Sequence, residues 1–257
     1  MEDTNFAANE CPTEATMDSH FSVDCVLVGF DGEHLCVLLV RQIGAELQQG
    51  EIEFKLPGSL LFRNEEFDHA ASRVVTELTG LKNVPLHQFH TFGSPNRIHE
   101  PKDLKWMTDY YSLHTSVERV ISVAYTSLLK IERRHLRLSE KYEACWVPVN
   151  EVGNLAFDHN DILNAALLYI RNQASIQVDI VFRLLPRKFT AAQLRCLFQV
   201  IYNQEFDIRN FHKRIAKMDY VVPLDEKETN VAHRAARYYK FDSHAKSLKH
   251  SNSESSQ

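Results

Sequence analysis

Short apolar stretches separated by polar connections dominate the first part of the chain. Some are continuous runs of Val, Ile and Leu, and others alternate apolar with polar residues, and both patterns are typical of β-strands. The predicted strands are residues 21–30, 35–40, 86–92, 119–129 and 143–147, and residues 52–56 are predicted to be a short extended segment. The turn dipeptide Asp31-Gly32 separates the first two, which are therefore predicted to form a hairpin.

Two stretches with helical periodicity accompany these strands. The first covers about residues 68–78. The second is predicted to start after a cap at Asn160-Asp161 and to run from Ile162 to about Gln173. Strands combined with two amphipathic helices fit a sheet that carries a helix on each face. The predicted fold of this part is an α/β/α sandwich within an α+β protein.

The C-terminal part has another pattern. Thr190 and Gln193 have the spacing of a capping box, and a helix is predicted from there to about residue 204. Asp207 is a second N-cap, before a helix at residues 208–218. The buried face of this second helix is predicted to consist of Ile208, Phe211, Ile215 and Met218. Two β segments follow, at residues 220–224 and 237–241. Two helices, a tight turn and a β-ribbon predict a winged helix-turn-helix.

These patterns divide the chain into two domains and two tails. Residues 21–175 form the predicted sandwich, and residues 176–242 form the predicted winged helix-turn-helix. The segment that leads to Pro186 is interpreted as a linker at their boundary. The polar residues 1–20 and 243–257 are predicted to be disordered tails.

Composition narrows the possible classes of protein. The 257 residues are 44% hydrophobic and 25% charged, which suits two globular domains. No apolar run approaches the ~20 residues of a membrane span, and the acidic N-terminus does not resemble a signal peptide. Five scattered cysteines without a CxxC motif fit reduced thiols better than a disulfide framework or a zinc site. We therefore expect a cytoplasmic protein.

The net charge of −5 is unevenly distributed. Residues 187–241 contain 11 Lys and Arg against 6 Asp and Glu, so this segment carries 11 − 6 = +5 and the remainder carries −10. A basic domain attached to an acidic one favours a polyanionic partner. Together with the predicted helix-turn-helix, the charge indicates double-stranded DNA.

The second helix of a helix-turn-helix enters the major groove with its N-terminal residues nearest the bases. Arg209 suits guanine and Asn210 suits adenine, whereas the lysines that follow suit phosphates. The predicted DNA-binding residues are Arg187, Lys188, Thr190, Arg209, Asn210, His212, Lys213, Arg214, Lys217, Arg234 and Arg237. The alternative is an ordinary solvated face. The spread of positive charge over helix, wing and domain start favours DNA.

The stretch 57–81 resembles the Nudix box, written G-x5-E-x7-R-E-U-x-E-E-x-G-U with U a bulky aliphatic residue. The matching residues are Glu65, Arg73, Val75, Glu77, Gly80 and Leu81. Ser59 stands where the box begins with glycine. Val74 and Leu78 stand where the family has glutamates.

In Nudix hydrolases the carboxylates of this helix hold Mg²⁺ against a diphosphate. Positions 74, 77 and 78 share one helix face, and only Glu77 supplies an oxygen ligand of the kind Mg²⁺ requires. The resemblance therefore implies the fold without a metal site, a cofactor or catalysis. Two alternatives stay open: an active diphosphate hydrolase, or an ordinary amphipathic helix in which Arg73 and Glu77 form an exposed ion pair.

The resemblance extends to the C-terminal domain. The runs FRLLPRKFTAAQL, DIRNFHKRI and NVAHRAARYYKFD resemble the winged helix of Nudix-related bacterial transcriptional regulators, and the match covers about residues 21–242. Some members sense ADP-ribose and others sense sugars. The segments RVVTELTGL, TFGSPNR, RVISVAY and AFDHNDIL are similar to the L-arabinose-responsive branch of Bacteroidetes. The polar insertion at residues 95–118, a length of loop that is usually functional or disordered, departs from the family.

This resemblance implies a homodimeric repressor that binds an operator and senses a sugar or a nucleotide sugar, with ADP-ribose sensing as the alternative. The effector is expected over the sheet beside the box, where hydrolases hold substrate. The candidate residues are Arg41, Lys55, Ser59, Phe62, Arg63, Arg97, Asp158 and His159. Alternatively, Asp158 and His159 only cap the next helix, and Arg63 and Arg97 lie on the surface. His87, His90, His99 and His114 are too loosely spaced to predict a metal site.

Overall fold

The structure is a computed structural model that describes residues 17–42, 54–95, 97, 103, 119–131, 135–137, 142–229 and 235–243. Most of the predicted tails, most of the insertion at residues 95–118, and Arg234 lie outside the described residues. None of the described helices combines the length and the hydropathy that crossing a bilayer requires.

A mixed sheet forms the centre of the first domain. Its strands are β1 (Met17–Phe30), β2 (Leu35–Gln42), β3 (Phe54–Lys55), β4 (Gly58–Phe62), β5 (His87–Phe92), β6 (Ile121–Leu128), β7 (His135–Arg137) and β8 (Tyr142–Pro148). The spatial order is β5-β6-β1-β2-β8-β7, with β3 beside β2 and β4 beside β1. Among the described strands, β1 and β6 form the one parallel pair. The five predicted strands are confirmed, although β1 starts earlier than expected. Strand β3 lies in the predicted extended segment 52–56, of which residues 52 and 53 are outside the described residues, and β4 and β7 were not predicted.

The predicted hairpin is also confirmed. Val28 pairs with Val37 in antiparallel register, and Gly32 adopts a φ of 107° in the turn. A positive φ is easily reached by glycine, which has no Cβ. The Asp31 carboxylate accepts hydrogen bonds from the backbone N–H groups of Glu33 and His34, which closes the turn.

One helix covers each face of the sheet, as predicted. Side chains of β1 alternate: Val23, Cys25 and Leu27 join the core under α1 (Phe67–Thr79), whereas Val26 and Val28 join the core under α2 (His159–Ile176). The predicted start of α2 is wrong. The helix begins at His159, and the Asn160 side chain instead accepts from the Leu155 N–H and donates to the Gly153 carbonyl.

The C-terminal domain has the predicted winged helix-turn-helix fold. Its elements are a 3₁₀ helix (Val178–Leu184), β9 (Phe189–Thr190), α3 (Ala191–Tyr202), α4 (Ile208–Ile215), β10 (Val221–Lys227) and β11 (Arg237–Phe241). The capping box of Thr190 and Gln193 is present, and the Asp207 carboxylate accepts from the Asn210 N–H. The predicted burial of Ile208 is wrong, because 58% of its surface is exposed.

The segment interpreted as a linker is part of the core. It forms the 3₁₀ helix, and Phe182 stacks on Phe241 at 4.4 Å between ring centroids. One buried cluster extends from β1 through α2 into the winged helix. Two hydrogen bonds cross the same boundary: Arg171 Nε donates to the Ile201 carbonyl at 3.0 Å, and the Tyr202 hydroxyl donates to the Ala174 carbonyl at 3.0 Å. The two domains are thus joined by packing as well as by the chain.

Phe182→Ala is expected to lower the free energy of unfolding by about 3–5 kcal/mol, because it removes a large ring from a packed aromatic cluster. Urea unfolding followed by circular dichroism measures the loss. Ile176→Ala, at an 81% exposed position nearby, is the control and should change stability by less than about 0.5 kcal/mol. A loss below about 1 kcal/mol for Phe182→Ala would contradict the assigned role of this ring.

Candidate functional site

The box residues that match the Nudix pattern fasten the loop before α1 to the helix. Arg73 donates from Nε and Nη2 to the two Glu65 carboxylate oxygens, at 2.7 Å each, and from Nη2 to the Leu60 carbonyl at 3.2 Å. Its guanidinium lies 4.2 Å from the centroid of the Phe62 ring. Burial raises the pKa of Glu65, but the bonds from Arg73 and from the Phe62 N–H outweigh it and lower the pKa below its usual value.

The positions that carry glutamate in the family pattern lie in the core here. Val74 is 0% and Leu78 is 8% exposed, and both pack in the cluster between α1 and the sheet. Glu77 is exposed, and its Oε2 lies 3.2 Å from Nη1 of Arg73. The side chain of Arg73 is only 16% exposed, so the alternative of a freely exposed Arg73–Glu77 pair is wrong.

A second polar cluster is buried on the opposite face of the sheet, around Asp24 of β1. Asp24 is 4% exposed and accepts a hydrogen bond from the Ser122 hydroxyl. His159 Nε2 lies 3.3 Å and Arg97 Nη2 lies 3.6 Å from its two carboxylate oxygens. Burial raises the pKa of Asp24, but His159, the Arg97 charge and the Ser122 hydroxyl outweigh it and hold the pKa well below its usual range.

The imidazole of His159 is held by two directed contacts. Its Nδ1 accepts a hydrogen bond from the Leu56 N–H at 3.0 Å, so that nitrogen carries no proton. Nε2 therefore carries the proton and faces Asp24. Gly58 completes the arrangement, because a Cβ at this position would lie 2.0 Å from the Asp24 carboxylate.

Arg97 connects this cluster to the start of α2. It donates from Nε and Nη2 to the two Asp158 carboxylate oxygens at 2.7 and 2.8 Å. Its Nη1 reaches the carbonyls of Phe92 and Val120 at 3.3 and 3.4 Å. Arg97 is 7% exposed, so the alternative that it lies on the surface is wrong. Asp158 occupies the N-cap position, but its carboxylate binds Arg97 rather than the helix N–H groups.

The eight predicted effector residues do not converge on one point. Arg97, Asp158 and His159 meet around Asp24. Lys55, 1% exposed, donates to the Gly58 carbonyl at 2.7 Å, and burial lowers its pKa to about 8 although Asp24 partly offsets the effect. The other members are placed elsewhere: Ser59 is buried on β4, Phe62 and Arg63 adjoin α1, and Arg41 pairs with Glu143 at the end of β2.

Asp24 itself was absent from the sequence-based set. The available signal was a carboxylate within the otherwise apolar strand residues 21–30. Its partners come from α2, β6 and the loop after β5, which are far apart in the chain, so only the folded arrangement identifies them.

Two clefts lie beside α2 where it meets the winged helix. One, of about 390 Å³, is lined among others by His34, Asn150, Arg171 and Asn203. The other, of about 220 Å³, has His87, Tyr169, Gln173 and Arg183 in its lining. None of the eight predicted effector residues lines either cleft.

The winged helix presents a basic face on α4. The predicted DNA contacts that are exposed there are Arg209, Asn210, His212, Lys213 and Arg214, and Lys217 is exposed just after the helix. The Arg214 guanidinium lies 5.3 Å from the Phe198 ring centroid and 5.2 Å from that of Phe206, so this residue also holds α4 against α3.

The predicted DNA contacts outside α4 that the structure describes are either buried, paired with a carboxylate or exposed. Thr190 is 4% exposed, and its hydroxyl accepts the Gln193 N–H in the capping box, so it is not part of the exposed face. Lys188 forms an ion pair with Glu226 of the wing. Arg237 lies 3.9 Å from Asp225, and Arg187 is exposed.

Asp24→Asn is expected to lower the free energy of unfolding at pH 7 by about 3–5 kcal/mol, because it leaves Arg97 without one of its buried counter-charges. The lowered pKa means that below about pH 4 the unfolded chain takes up a proton that the folded protein does not. Wild-type stability therefore falls as the pH drops through that range, and the variant should show a shallower fall.

Urea unfolding at several pH values between about 3 and 7 tests this prediction. Asp18→Asn is the matched control on the same strand, since that carboxylate is only partly buried. A variant with wild-type stability and the wild-type pH slope would show that the Asp24 cluster is unimportant for folding.

Comparisons with known proteins agree with this architecture. A family model described as "NUDIX domain" matches residues 18–166, and one described as "NrtR DNA-binding winged helix domain" matches residues 181–241. The ADPR responsive transcriptional repressor NtrR of Acinetobacter baylyi is 22% identical over 224 residues, which cover 86% of this chain and 81% of that protein.

Two crystal structures share the fold. Shewanella oneidensis NrtR complexed with a 27mer DNA gives a TM-score of 0.59 at 20% identity, over 88% of this chain and 95% of that one. A MutT/nudix family protein from Enterococcus faecalis gives 0.54 at 21% identity, over 91% and 90%. Because the NUDIX model spans more than half of the sequence, this chain belongs to the NUDIX domain family, and it carries an NrtR DNA-binding winged helix domain at its C-terminal end.

Proposed function

We propose that this protein is a transcriptional regulator of the NrtR type, which binds operator DNA through α4 and binds ADP-ribose through its NUDIX domain. The observation that carries the proposal is the basic, exposed face of α4 on a winged helix whose core is continuous with that of the NUDIX domain. This continuous core supports a regulator in which the proposed ligand-binding and DNA-binding parts belong to one packed body.

Arg209 and Asn210 are proposed to contact base edges, because they lie in the first turn of α4. Lys213 and Lys217 are proposed to contact phosphates, together with Arg187 before β9. Lys188 and Arg237 would have to exchange their carboxylate partners for phosphates, so we expect them to contribute less.

The effector assignment changes from the one that the sequence favoured. Similarity to the L-arabinose-responsive branch pointed to a sugar, whereas the relative from Acinetobacter baylyi is described as ADPR responsive. That description supports the alternative, ADP-ribose. Arg63, which is exposed, is a candidate partner for its diphosphate, since a buried diphosphate requires compensating cations. Arg41 would first have to exchange Glu143 for the diphosphate.

We further propose a homodimer on a two-fold operator. A single short recognition helix contacts few bases, and paired helices read half-sites about one helical turn apart. The helix α2 contacts both the Asp24 cluster and the winged helix, so it is the proposed moving element. An effector shifts the equilibrium only if it binds the two arrangements with different affinity.

The test uses an operator selected by the full-length chain, with fluorescence anisotropy at fixed salt and sedimentation of the complex. Arg209→Ala should relax the preference at one base pair by about 1–3 kcal/mol. Lys213→Ala, the matched variant on the same face, should weaken all sequences alike and reduce the salt slope by about one.

Calorimetry with ADP-ribose, L-arabinose and D-xylose tests the effector. ADP-ribose should bind and change operator affinity, and the sugars should not. A response to L-arabinose alone would restore the sugar-responsive assignment. If Arg209→Ala and Lys213→Ala both kept the operator affinity and the sequence preference of the wild-type chain, α4 would be rejected as the DNA-binding element.

We also propose that the NUDIX domain does not hydrolyse its ligand. Val74 and Leu78 are buried apolar side chains and supply no oxygen to Mg²⁺, which leaves Glu77 as the only carboxylate at these box positions. Chromatographic assays with ADP-ribose and Mg²⁺ should detect negligible formation of AMP and ribose 5-phosphate. Mg²⁺-dependent turnover that disappears in Glu77→Gln would overturn this part of the proposal.

A further inference from the structure

Ile208, the first residue of α4, is apolar but 58% exposed. The other large apolar residues of the same helix, Phe211 and Ile215, are 2% and 4% exposed. Side chains of a helix lean towards its N-terminus, and no helical turn precedes Ile208 to receive its side chain. The sec-butyl side chain of Ile208 therefore lies at the open N-terminal end of the helix.

Neighbouring residues close the helix start without using Ile208. The Asp207 carboxylate accepts the Asn210 N–H at 2.9 Å and fixes the cap. Phe206, on the other side of the cap, packs against Phe211 at 5.6 Å between ring centroids, and the Arg214 guanidinium covers it. The aromatic residue of the turn thus fills the hydrophobic gap between α3 and α4, which leaves the apolar surface of Ile208 available.

Polar side chains surround this apolar group. Arg209 and Asn210 follow it directly, and His212 lies one turn further on, all of them exposed. The residues at the N-terminal end of a recognition helix are those nearest the base edges in the major groove. Among the four bases, only thymine presents an apolar group there, its C5 methyl.

We infer that Ile208 reads the methyl group of a thymine in the operator half-site. This inference rests on the proposed function, in which α4 enters the major groove. The contact adds apolar burial to the hydrogen bonds of Arg209 and Asn210. It distinguishes thymine from cytosine, which lacks the methyl group.

The test replaces each thymine of the selected operator half-site in turn by deoxyuridine, which removes only the methyl group. One replacement should weaken binding of the wild-type chain about fourfold per half-site, the effect of exposing one buried methyl group. The same replacement should leave binding by Ile208→Ala unchanged, because the protein side of the contact is already missing. Alanine favours helix more than isoleucine, so the variant should keep α4, and thermal unfolding verifies this.

Leu168→Ala is the matched control, because Leu168 is a similarly exposed apolar residue, at 54%, on α2 of the other domain. This variant should respond to deoxyuridine like the wild-type chain. A half-site without thymine, or deoxyuridine effects that are equal in wild type and Ile208→Ala, would overturn the inference. The proposed function would still hold in that case if the wild-type chain bound a specific sequence and Arg209→Ala reduced this preference. A full-length chain that selects no sequence would reject both.

Discussion

The carboxylate of Asp24 is buried in the central strand of the sheet, and such a charge is tolerated only where other groups compensate it. Three elements supply the compensation: β6 through Ser122, α2 through His159, and the loop after β5 through Arg97. Because each partner needs a fixed position, this one charge specifies how those elements meet. Gly58 is part of the same constraint, since a side chain there would collide with the carboxylate.

Helix α2 connects the Asp24 cluster to the winged helix. The first residue of this helix is held by Asp24, and its preceding residue, Asp158, is held by Arg97. Near its other end, Arg171 and Ala174 form hydrogen bonds with α3 residues. A rigid helix that is fastened at both ends cannot shift at one without disturbing the other. The proposed coupling between the domains would therefore act through this packing, without a flexible linker.

Local patterns predicted the local structure well. The strands, both faces of the sheet, the capping box at Thr190 and the cap at Asp207 all follow from spacing that a few residues suffice to define. The errors lie at element ends and at long range. The supposed linker is a 3₁₀ helix because Phe182 finds its stacking partner, Phe241, some sixty residues later in the chain.

The candidate site was predicted less completely for the same reason. Sequence reasoning named Arg97, Asp158 and His159 as effector-binding candidates, with surface or capping roles as the alternative. It did not predict that Arg97 and His159 face Asp24, because that residue lies in a distant strand. It also expected Ile208 to be buried from helical periodicity alone. Periodicity describes the middle of a helix, whereas the first residue has no preceding turn to pack against.

The charge of the C-terminal domain illustrates a limit of counting residues. The segment 187–241 carries a net +5, yet the wing cations Lys188 and Arg237 lie beside wing carboxylates, and Arg214 is placed over aromatic rings. Of the other exposed cations, Arg209 and Lys213 lie on α4 and Lys217 lies just after it. Fewer phosphate contacts mean a smaller salt-dependent, sequence-independent term in the binding free energy. In such a domain the residues proposed to contact bases at the start of α4 would supply a larger share of operator affinity, and discrimination between sequences would depend on a few side chains.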